Sequence, residues 1–270
     1  MEQKQASPLA GKTILVTRPE AQAADFVEKL KRIEANPVLF PAIAISAPET
    51  YNAVDAAIGN LAGYDWVIFT SVNGVRFFTA RMQALQLPVD ALKKCRIAAI
   101  GPATASLLQE LGLHPEFVPS KFVAEVLAEE FPDVEGQKIL LPRADIARKN
   151  LKHDLEARGA SVEELVAYRT SGSHFPEDEA RQRLSQEEID IITFTSSSTV
   201  RYFREKMEKL GMSLPEARIA CIGPITANTA RELQFDVWTE AETYTIDGLI
   251  NSMEKALANE KTAKKAQKER

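Results

Sequence analysis

The sequence has no long apolar run, and this absence limits where the protein can work. No stretch of about 18 or more apolar residues occurs in the chain, which argues against a transmembrane helix. The first residues, MEQKQASPLAGK, contain no apolar core of the kind that an export signal needs. We therefore expect a cytoplasmic protein with no membrane partner.

Cysteine and histidine are scarce, with two and three copies in 270 residues. Cys95 and Cys221 lie in or beside short apolar runs, which favours buried, reduced thiols over a disulfide or a reactive nucleophile. His114, His153 and His174 are scattered in polar surroundings without the spacing of metal ligands. We expect neither a metal site nor covalent thiol chemistry.

Common nucleotide and hydrolase motifs are also missing. The sequence contains no GxxxxGK(S/T), no GxGxxG and no GxSxG, so a nucleotide phosphate site and a serine nucleophile elbow are not supported. A net charge of −5 and a pI near 5.5 argue against a nucleic-acid partner. The basic C-terminal stretch ANEKTAKKAQKER is typical of a solvated tail, and we expect residues 259–270 to be disordered.

What the chain does contain is an internal repeat. Three pairs of stretches match each other in the same order: GKTILVTRPE (11–20) with GQKILLPRAD (136–145), FTSVNGVRFF (69–78) with FTSSSTVRYF (194–203), and RIAAIGPATASLLQEL (96–111) with RIACIGPITANTAREL (218–233). The first two pairs share one offset, and the third differs from it by a few residues. We infer an internal duplication of about half the chain.

Short apolar runs alternate with helical patterns in each half. The runs include ILVT, WVIFT and RIAAI, and helical spacing is seen for example in Phe26, Leu30 and Ile33. Strands that alternate with helices of about 10–15 residues predict βαβ units and a parallel sheet that is covered on both faces. The predicted fold class is therefore α/β, with two flavodoxin-like, doubly wound parallel-sheet domains.

Two segments do not fit this alternation. PVLFPAIAISA (37–47) and SVEELVAYRTS (161–171) follow the first helix of each half, and both have the pattern of extended chain. The two segments either pair with each other and join the halves, or each forms the second strand of its own tandem domain. Spacing alone does not decide between these interpretations.

The turns that follow the strands are the predicted binding positions, because ligands in open α/β sheets bind at the carboxyl ends of strands. These turns are rich in Ser, Thr and Asn, which cap helices beside free backbone N–H groups that attract carboxylates or phosphates. Each hydroxyl taken alone is best explained as a cap. The repeated IGPAT and IGPIT turns add Gly101 with Thr104, and Gly223 with Thr226, at matching positions.

Arginine and tyrosine supply the other candidates. Arg18 and Arg143 occupy equivalent positions after the first strand of each half, where each can neutralise a carboxylate or form a salt bridge with a nearby acid. Tyr168 lies in the second unusual extended segment, where its phenol can donate a proton or pack as an aromatic residue at the domain junction.

The repeated motifs, together with VAYRT (166–170) and TIDGLI (245–250), resemble the uroporphyrinogen-III synthase family. The resemblance covers nearly the whole chain, from Gly11 to Ala256. It implies a cofactor-free, cyclising hydro-lyase of tetrapyrrole biosynthesis that converts hydroxymethylbilane to uroporphyrinogen III. Water is lost, and the last pyrrole ring (ring D) is inverted through a spiro intermediate. A monomer that makes transient contact with hydroxymethylbilane synthase is expected.

The family's fold implies that residues 37–49 and 161–171 form a two-stranded β-ladder linker. The first domain is then discontinuous, made of residues 1–36 and 172–258, and the second domain is 50–160. The active site is expected in the cleft between the domains.

The resemblance assigns to Tyr168 the role of assisting loss of the hydroxyl, as a general acid or hydrogen-bond donor. The expected substrate-binding residues are Arg18, Ser71, Asn73, Gly101, Thr104, Arg143, Ser196, Ser198, Arg218 and Thr226. Asn73 and the FTSSST turn depart from the usual family pattern. Because a base–nucleophile pair is missing, we expect catalysis to rest on orientation and electrostatics.

Two other functions fit the same pattern. One is a non-catalytic two-domain binding protein for an acidic tetrapyrrole or other polyanion. The other is a flavodoxin-like FMN protein, whose phosphate the Ser/Thr-rich turns would hold. If the protein converts hydroxymethylbilane, it is an enzyme and not only a binding protein. A purified protein without colour argues against bound FMN.

Overall fold

The computed structural model describes residues 7–120, 124–147, 150–186, 188–213 and 216–268. The chain divides into two compact units, the first made of Met1–Ala44 and Ser171–Arg270 and the second of Ile45–Thr170. Strands and helices are numbered here along the whole chain.

The first unit is built around a sheet of five parallel strands. These are β1 (Thr13–Val16), β2 (Asn36–Leu39), β8 (Ile191–Phe194), β9 (Arg218–Cys221) and β10 (Val237–Glu240). Their order across the sheet is β10-β9-β8-β1-β2, and all four neighbouring pairs are parallel. The described helices are α1 (Glu20–Arg32), α7 (Glu177–Gln186), α8 (Ser197–Leu210), α9 (Pro224–Glu232) and α10 (Ile246–Lys268).

Both faces of this sheet are buried, which explains the continuous apolar runs of its strands. Side chains alternate between the faces. Ile14 packs with Phe26 of α1 in one core, whereas its neighbour Leu15 packs with Phe203 of α8 in the other. The helices therefore cover both faces, as a doubly wound fold requires.

The second sheet also has five strands. They are β3 (Ile43–Ser46), β4 (Trp66–Phe69), β5 (Arg96–Ala99), β6 (Lys138–Ala144) and β7 (Ser161–Gly172), in the order β3-β7-β6-β4-β5. The helices described around it are α2 (Asn52–Gly59), α3 (Val72–Ala84), α4 (Pro102–Glu110), α5 (Ala124–Glu130) and α6 (Asn150–Ala157). The β7-β6-β4-β5 part is parallel throughout.

The strand orders reproduce the sequence repeat. The matching stretches place β1, β8 and β9 in equivalence with β6, β4 and β5, and these strands are adjacent in the same order in both sheets. The registers agree as well, since Thr13 is opposite Asn36 in the first sheet and Lys138 is opposite Ser161 in the second. The predicted α/β class with two parallel sheets is confirmed.

Residues 37–47 do not form the single extended segment that the sequence predicted. The chain leaves the first sheet after Leu39 and enters the second at Ile43. Pro41 lies in this break, and it has no N–H group to donate to a ladder. β2 pairs with β1, as the tandem interpretation predicts, and β3 lies beside β7, as the pairing interpretation predicts. A ladder that joins the units stays a prediction.

Helix α10 includes residues 259–268 of the segment predicted to be a disordered tail, and residues 269 and 270 lie outside the described part of the chain. Among the side chains of α10 that the structure describes, Leu257 is the last buried one. Alanine, lysine, glutamate and glutamine dominate this stretch, and all four have high helix propensity. In the described part of the chain, no helix has the length and apolar character needed to cross a membrane.

Candidate active site

The turn after β4 begins helix α3 with a serine cap. Ser71 has extended backbone angles, and its Oγ accepts a hydrogen bond from the backbone N–H of Gly74 at 3.0 Å. A Cβ on Gly74 would lie 3.1 Å from the carbonyl oxygen of Pro142 in β6. The lack of a side chain at Gly74 therefore lets the first turn of α3 approach the neighbouring strand closely.

Tyr168 of β7 reaches the same turn. Its hydroxyl lies 3.0 Å from Ser71 Oγ, and its ring stacks on Phe77 of α3 with centroids 5.7 Å apart. Asn73 also hydrogen bonds to the phenol. The tyrosine is 7% exposed, so most of its ring is enclosed while its hydroxyl is held by polar partners.

Burial raises the pKa of the Tyr168 phenol above its ordinary value. The hydrogen bond with Ser71, the positive charge of Arg143 and the hydrogen bond with Asn73 all act in the opposite direction, whereas Asp145 adds to the rise. The phenol is thus protonated near neutral pH and is surrounded by groups that stabilise its ionised form. That combination suits a proton or hydrogen-bond donor.

A change of strand register positions the tyrosine. Arg143 is opposite Val166, but the next residue, Ala144, is opposite Tyr168, so β7 has an extra residue at Ala167. Such bulges interrupt the alternation of side chains and turn one of them to a new direction. Ala167 and Tyr168 are accordingly both buried in the same core, next to α3.

Arg143 forms the salt bridge that was one of its two predicted roles. Its Nη1 donates to Glu164 Oε2 at 3.0 Å, and the arginine is only 6% exposed. Its buried Nε has no hydrogen-bond partner among the described residues.

Sequence reasoning missed Asp145, which fixes the backbone on both sides of the tyrosine. Its carboxylate accepts hydrogen bonds from the N–H groups of Ile146 and Thr170, and its own N–H donates to the carbonyl of Tyr168 at 3.1 Å. The carboxylate also lies 3.5 Å from Arg169. An acidic residue directly after a strand end was the available signal.

The second predicted turn of this unit lies next to the first. Ile100 N–H donates to the carbonyl of Phe69 at 3.1 Å, so the IGPAT turn follows the neighbouring strand at the same sheet edge. Gly101 caps α4 without a side chain, and Thr104 in its first turn is 4% exposed. The hydroxyls of Ser71 and Thr104 therefore belong to adjacent turns of the second unit.

The first unit repeats this arrangement. Ile222 N–H donates to Phe194 at 2.9 Å, and Ser196 accepts from Thr199 N–H at 3.2 Å in a capping box. Ser196 Oγ also lies 2.9 Å from Ser198 Oγ. Thr226, the counterpart of Thr104, is likewise 4% exposed.

One difference separates the repeats. At the sequence offset that relates β1 to β6, the residue that matches Tyr168 is Ile43, which has no polar group in its side chain. Ile43 lies beyond the end of β2, in β3 of the second sheet. Ser196 pairs with Ser198 where Ser71 pairs with the phenol.

The two remaining arginines lie in different places. Arg18 follows β1, which is the neighbour of β8, so Arg18 and Ser196 follow adjacent strands. Arg218 instead begins β9 at the opposite end, about 13 Å along the strand from the IGPIT turn at about 3.3 Å per residue. Its guanidinium bonds Glu260 of α10 at 2.7 Å and lies over the Trp238 ring at 5.5 Å. The structure does not bring Arg218 together with the turns.

A second residue that sequence reasoning missed is Tyr244. A Cβ on Gly223, which caps α9, would lie 2.9 Å from the Tyr244 ring, so the ring packs on the first turn of that helix. The tyrosine belongs to the TEAETYT turn after β10. Across the described ranges, no group of three or more His, Cys, Asp or Glu residues is arranged to hold a metal ion.

The fold and the polar turns of the two sheets define a two-unit α/β protein with hydroxyl-rich turns at the carboxyl ends of its strands. The profile of the family "Uroporphyrinogen-III synthase HemD" matches residues 24–251. The chain therefore belongs to the uroporphyrinogen-III synthase family, and the resemblance seen in the sequence is confirmed.

Named relatives agree with this assignment. The uroporphyrinogen-III synthase of Synechococcus elongatus is 37% identical over 254 residues, which cover 92% of this chain and 96% of the relative. A putative uroporphyrinogen-III synthase of Methanothermobacter thermautotrophicus is 32% identical and covers 88% and 96%. A crystal structure of the Thermus thermophilus synthase superposes with a TM-score of 0.65 at 21% identity, covering 93% of this chain and all of that one. The last likeness supports the fold.

Proposed function

We propose that the protein cyclises hydroxymethylbilane to uroporphyrinogen III, with loss of water and inversion of ring D through a spiro intermediate. Family membership supports this reaction. The observation that carries it is the buried phenol of Tyr168, held at 3.0 Å from Ser71 at the carboxyl edge of a parallel sheet. In the vocabulary of enzyme classes, the protein is a hydro-lyase.

Tyr168 is proposed to donate to the hydroxyl that leaves the bilane. The departing group leaves an azafulvene cation that its pyrrole nitrogen stabilises, so only modest acid assistance is needed. The phenol supplies a proton or a strong hydrogen bond at the oxygen, and water leaves. Ser71 and Asn73 then stabilise the charge that develops on the phenol oxygen.

The substrate carries eight carboxylates, and the turns offer groups that suit them. Backbone N–H groups at the starts of α3, α4, α8 and α9 carry partial positive charge. Ser196, Ser198, Thr104, Thr226 and Arg18 are proposed to add hydroxyls and one cation. Such contacts hold carboxylates without a strongly basic protein, which agrees with the net charge of −5. Arg218 is not part of this proposal.

The deciding experiment is an assay with freshly made hydroxymethylbilane in which isomer III and isomer I are separated after oxidation. Isomer I forms spontaneously, so enrichment of isomer III over a protein-free control reports catalysis. Tight binding of the bilane that yields isomer I alone would support a non-catalytic binding protein instead. Heat-inactivated protein provides the matched control.

A further inference from the structure

We propose that Thr229 is a positioning residue for substrate binding: its hydroxyl, bonded to Ser197, fixes the spacing between the amino ends of α8 and α9, so that both ends bind one carboxylate of the substrate. This inference rests on the proposed function, and it names a part of the first unit that recognises the substrate. Thr229 acts through the helix ends and does not touch the carboxylate itself.

A bridge of two hydroxyls joins α8 to α9. Thr229 Oγ1 donates to Ser197 Oγ at 2.8 Å, and Ser197 Oγ donates to the carbonyl oxygen of Ile225 at 3.3 Å. Thr229 Oγ1 also lies 3.0 Å from that carbonyl oxygen. Ser197 is the first residue of α8, and Ile225 is in the first turn of α9. The bridge therefore fixes the amino ends of two neighbouring helices relative to each other.

The second unit has apolar residues at both matching positions. At the offsets of the sequence repeat, Val72 of α3 matches Ser197. Leu107 of α4 matches Thr229, and it packs against the apolar core of the second unit. Neither side chain can form a hydrogen bond, so the repeated fold does not need the bridge. Packing of neighbouring helices alone does not explain the two hydroxyls of the first unit.

The amino end of α9 is also held from its other side. It follows β9, which lies between β8 and β10 in the sheet. Ser197 follows β8, whereas Tyr244 follows β10 and packs on Gly223 at the N-cap of α9. A Cβ on Gly248 of α10 would lie 2.0 Å from the carbonyl oxygen of Thr243, so the chain directly before Tyr244 packs closely on that helix. The first turn of α9 is thus fixed by contacts on both sides.

Thr226 indicates that this fixed end of α9 faces a ligand. The residue is 4% exposed, and its hydroxyl forms no hydrogen bond with any residue that the structure describes. A buried hydroxyl without a partner costs free energy unless a bound group supplies one. Thr226 lies in the first turn of α9, where backbone N–H groups have no partner inside the helix. The hydroxyl and these N–H groups can all donate, which suits a carboxylate.

The spacing of the two helix ends decides whether one carboxylate can reach both. Each end supplies backbone N–H groups and partial positive charge. Ser197 Oγ contacts the carbonyl of Ile225, so the ends are close enough for the two oxygens of a single carboxylate. Without the bridge the ends can move apart, which weakens binding. Proton donation by Tyr168 depends on contacts within the second unit, so KM and not kcat should respond.

Substitution of the bridge separates positioning from direct contact. Thr229→Val keeps the shape of threonine without the hydroxyl, and it is expected to raise KM for hydroxymethylbilane about fivefold with kcat within about twofold, in keeping with the loss of about one hydrogen bond. Thr229→Ser is expected to restore KM to within about twofold of the wild type. Ser197→Ala should raise KM as much as Thr229→Val, and the double variant no further, because the two residues form one bridge. Additive increases in KM would overturn the proposal.

Thr79→Val is the matched control. Thr79 of α3 is 5% exposed, and its Oγ1 donates to the carbonyl oxygen of Val75, four residues earlier, at 2.8 Å. Its described hydrogen bonds stay within α3. Both valine variants lose a bond inside a helix, but only Thr229→Val also loses a bond between helices. Thr79→Val is expected to keep KM within about twofold of the wild type. An equal increase in KM in both variants would show a general loss of helix stability and overturn the proposal.

A bilane with a methyl group in place of the hydroxymethyl group tests the inference apart from turnover. It keeps the eight carboxylates and cannot lose water. Its affinity, measured by isothermal titration calorimetry, is expected to fall about fivefold in Thr229→Val and to stay unchanged in Thr79→Val. This result without formation of isomer III would support the inference and contradict the proposed function.

Equal affinity of this bilane for the wild type and for folded Thr229→Val would overturn the inference, and so would a lack of binding to the wild type. Far-UV circular dichroism and the melting temperature establish that each variant is folded. If Thr229→Val does not fold, Ser197→Ala provides the same measurement, because it removes the bridge from a partly exposed residue.

Discussion

The hydroxyl of Tyr168 lies 3.0 Å from Oγ of Ser71, whereas Ser196, the counterpart of Ser71 in the first unit, lies 2.9 Å from Oγ of Ser198. The residue that matches Tyr168 at the sequence offset of the repeat is Ile43, and it lies in β3 of the second sheet. Both units thus have capped turns of the same kind, and Ser71 contacts a phenol where Ser196 contacts a serine. The chemistry of the two halves is therefore expected to be unequal.

Replacement of Tyr168 by phenylalanine is expected to slow the reaction without abolishing it. Because the azafulvene cation is already stabilised, we expect kcat to fall about tenfold, less than the roughly 10²–10⁴ of a strongly required general acid. Isomer III should still exceed isomer I in the products. The measurement is the initial rate with hydroxymethylbilane, with both isomers resolved.

Complete loss of isomer III in a folded Tyr168→Phe protein would show that proton donation is essential and contradict a mechanism dominated by orientation. The ring and its stacking on Phe77 are retained in this variant, so its melting temperature provides the control for folding.

Ser71→Ala and Ser196→Ala form a matched pair. Each removes an N-cap hydroxyl that accepts from a backbone N–H, so each is expected to lower the free energy of unfolding by about 1 kcal/mol. Only Ser71→Ala also removes a partner of the Tyr168 phenol, and it should lower kcat about threefold, in keeping with the loss of about one hydrogen bond.

Chemical denaturation and steady-state kinetics of both variants test this difference. If Ser196→Ala lowered kcat as much as Ser71→Ala, the bond to Tyr168 would not be the cause. An effect of Ser196→Ala on KM alone would agree with a role in holding a substrate carboxylate.

Sequence patterns were sufficient for the fold because its signals are local and repeated. Apolar runs bounded by Gly, Pro, Ser and Thr predicted the strands, and the matching stretches predicted two similar sheets. The turns after the strands were predicted to cap helices with Ser, Thr or Asn, and Ser71 caps α3 after β4 in this way. The break at Pro41 was overlooked because the apolar character continues across it.

The relationship between Tyr168 and Ser71 was not predictable in the same way. It depends on the extra residue at Ala167, and a register shift of one residue leaves no periodic trace in a sequence. Arg218 shows the reverse case. Its place at the start of RIAC already indicated the amino end of a strand, but family resemblance suggested a site role that its contacts with Glu260 do not support.

Gly74→Ala tests how tightly α3 approaches β6. The new Cβ would lie 3.1 Å from the carbonyl oxygen of Pro142, and this neighbour is backbone that cannot turn aside. We expect a loss of about 1–2 kcal/mol in the free energy of unfolding, because overpacking outweighs the higher helix propensity of alanine. A lower kcat should accompany it, since Ser71 moves with the turn.

Gly59→Ala is the control for helix propensity. Gly59 ends α2, and an added Cβ there meets nothing within 4 Å. In this variant the free energy of unfolding is expected to rise by up to about 0.5 kcal/mol, without a change in kcat. If the Gly74→Ala protein were as stable and as active as the Gly59→Ala protein, the contact with Pro142 would relax easily.

Asp190 provides a prediction about pH. Burial opposes its ionisation, but the hydrogen bonds from Lys12 Nζ at 2.6 Å and Thr13 N–H at 2.9 Å outweigh burial and hold the pKa of the carboxyl below its ordinary value of 3.8. A carboxyl whose pKa is lower in the folded state stabilises the protein above the unfolded pKa, and this contribution is lost as pH falls through the folded value. Asp190→Asn should therefore be less stable than the wild type by about 1 kcal/mol at pH 7.

The difference in the free energy of unfolding between the wild type and Asp190→Asn is expected to shrink as the pH falls below 3.8. It vanishes once Asp190 is protonated in both the folded and the unfolded state. Urea denaturation at intervals between pH 7 and 2.5 measures it directly. Lys12→Met is the companion variant, because it removes the donor while it leaves the carboxylate and the bond from Thr13 in place. The free energy of unfolding that Lys12→Met loses should show the same dependence on pH with a smaller amplitude. A difference that stays constant across the whole range would mean that Asp190 acts through packing rather than through its charge.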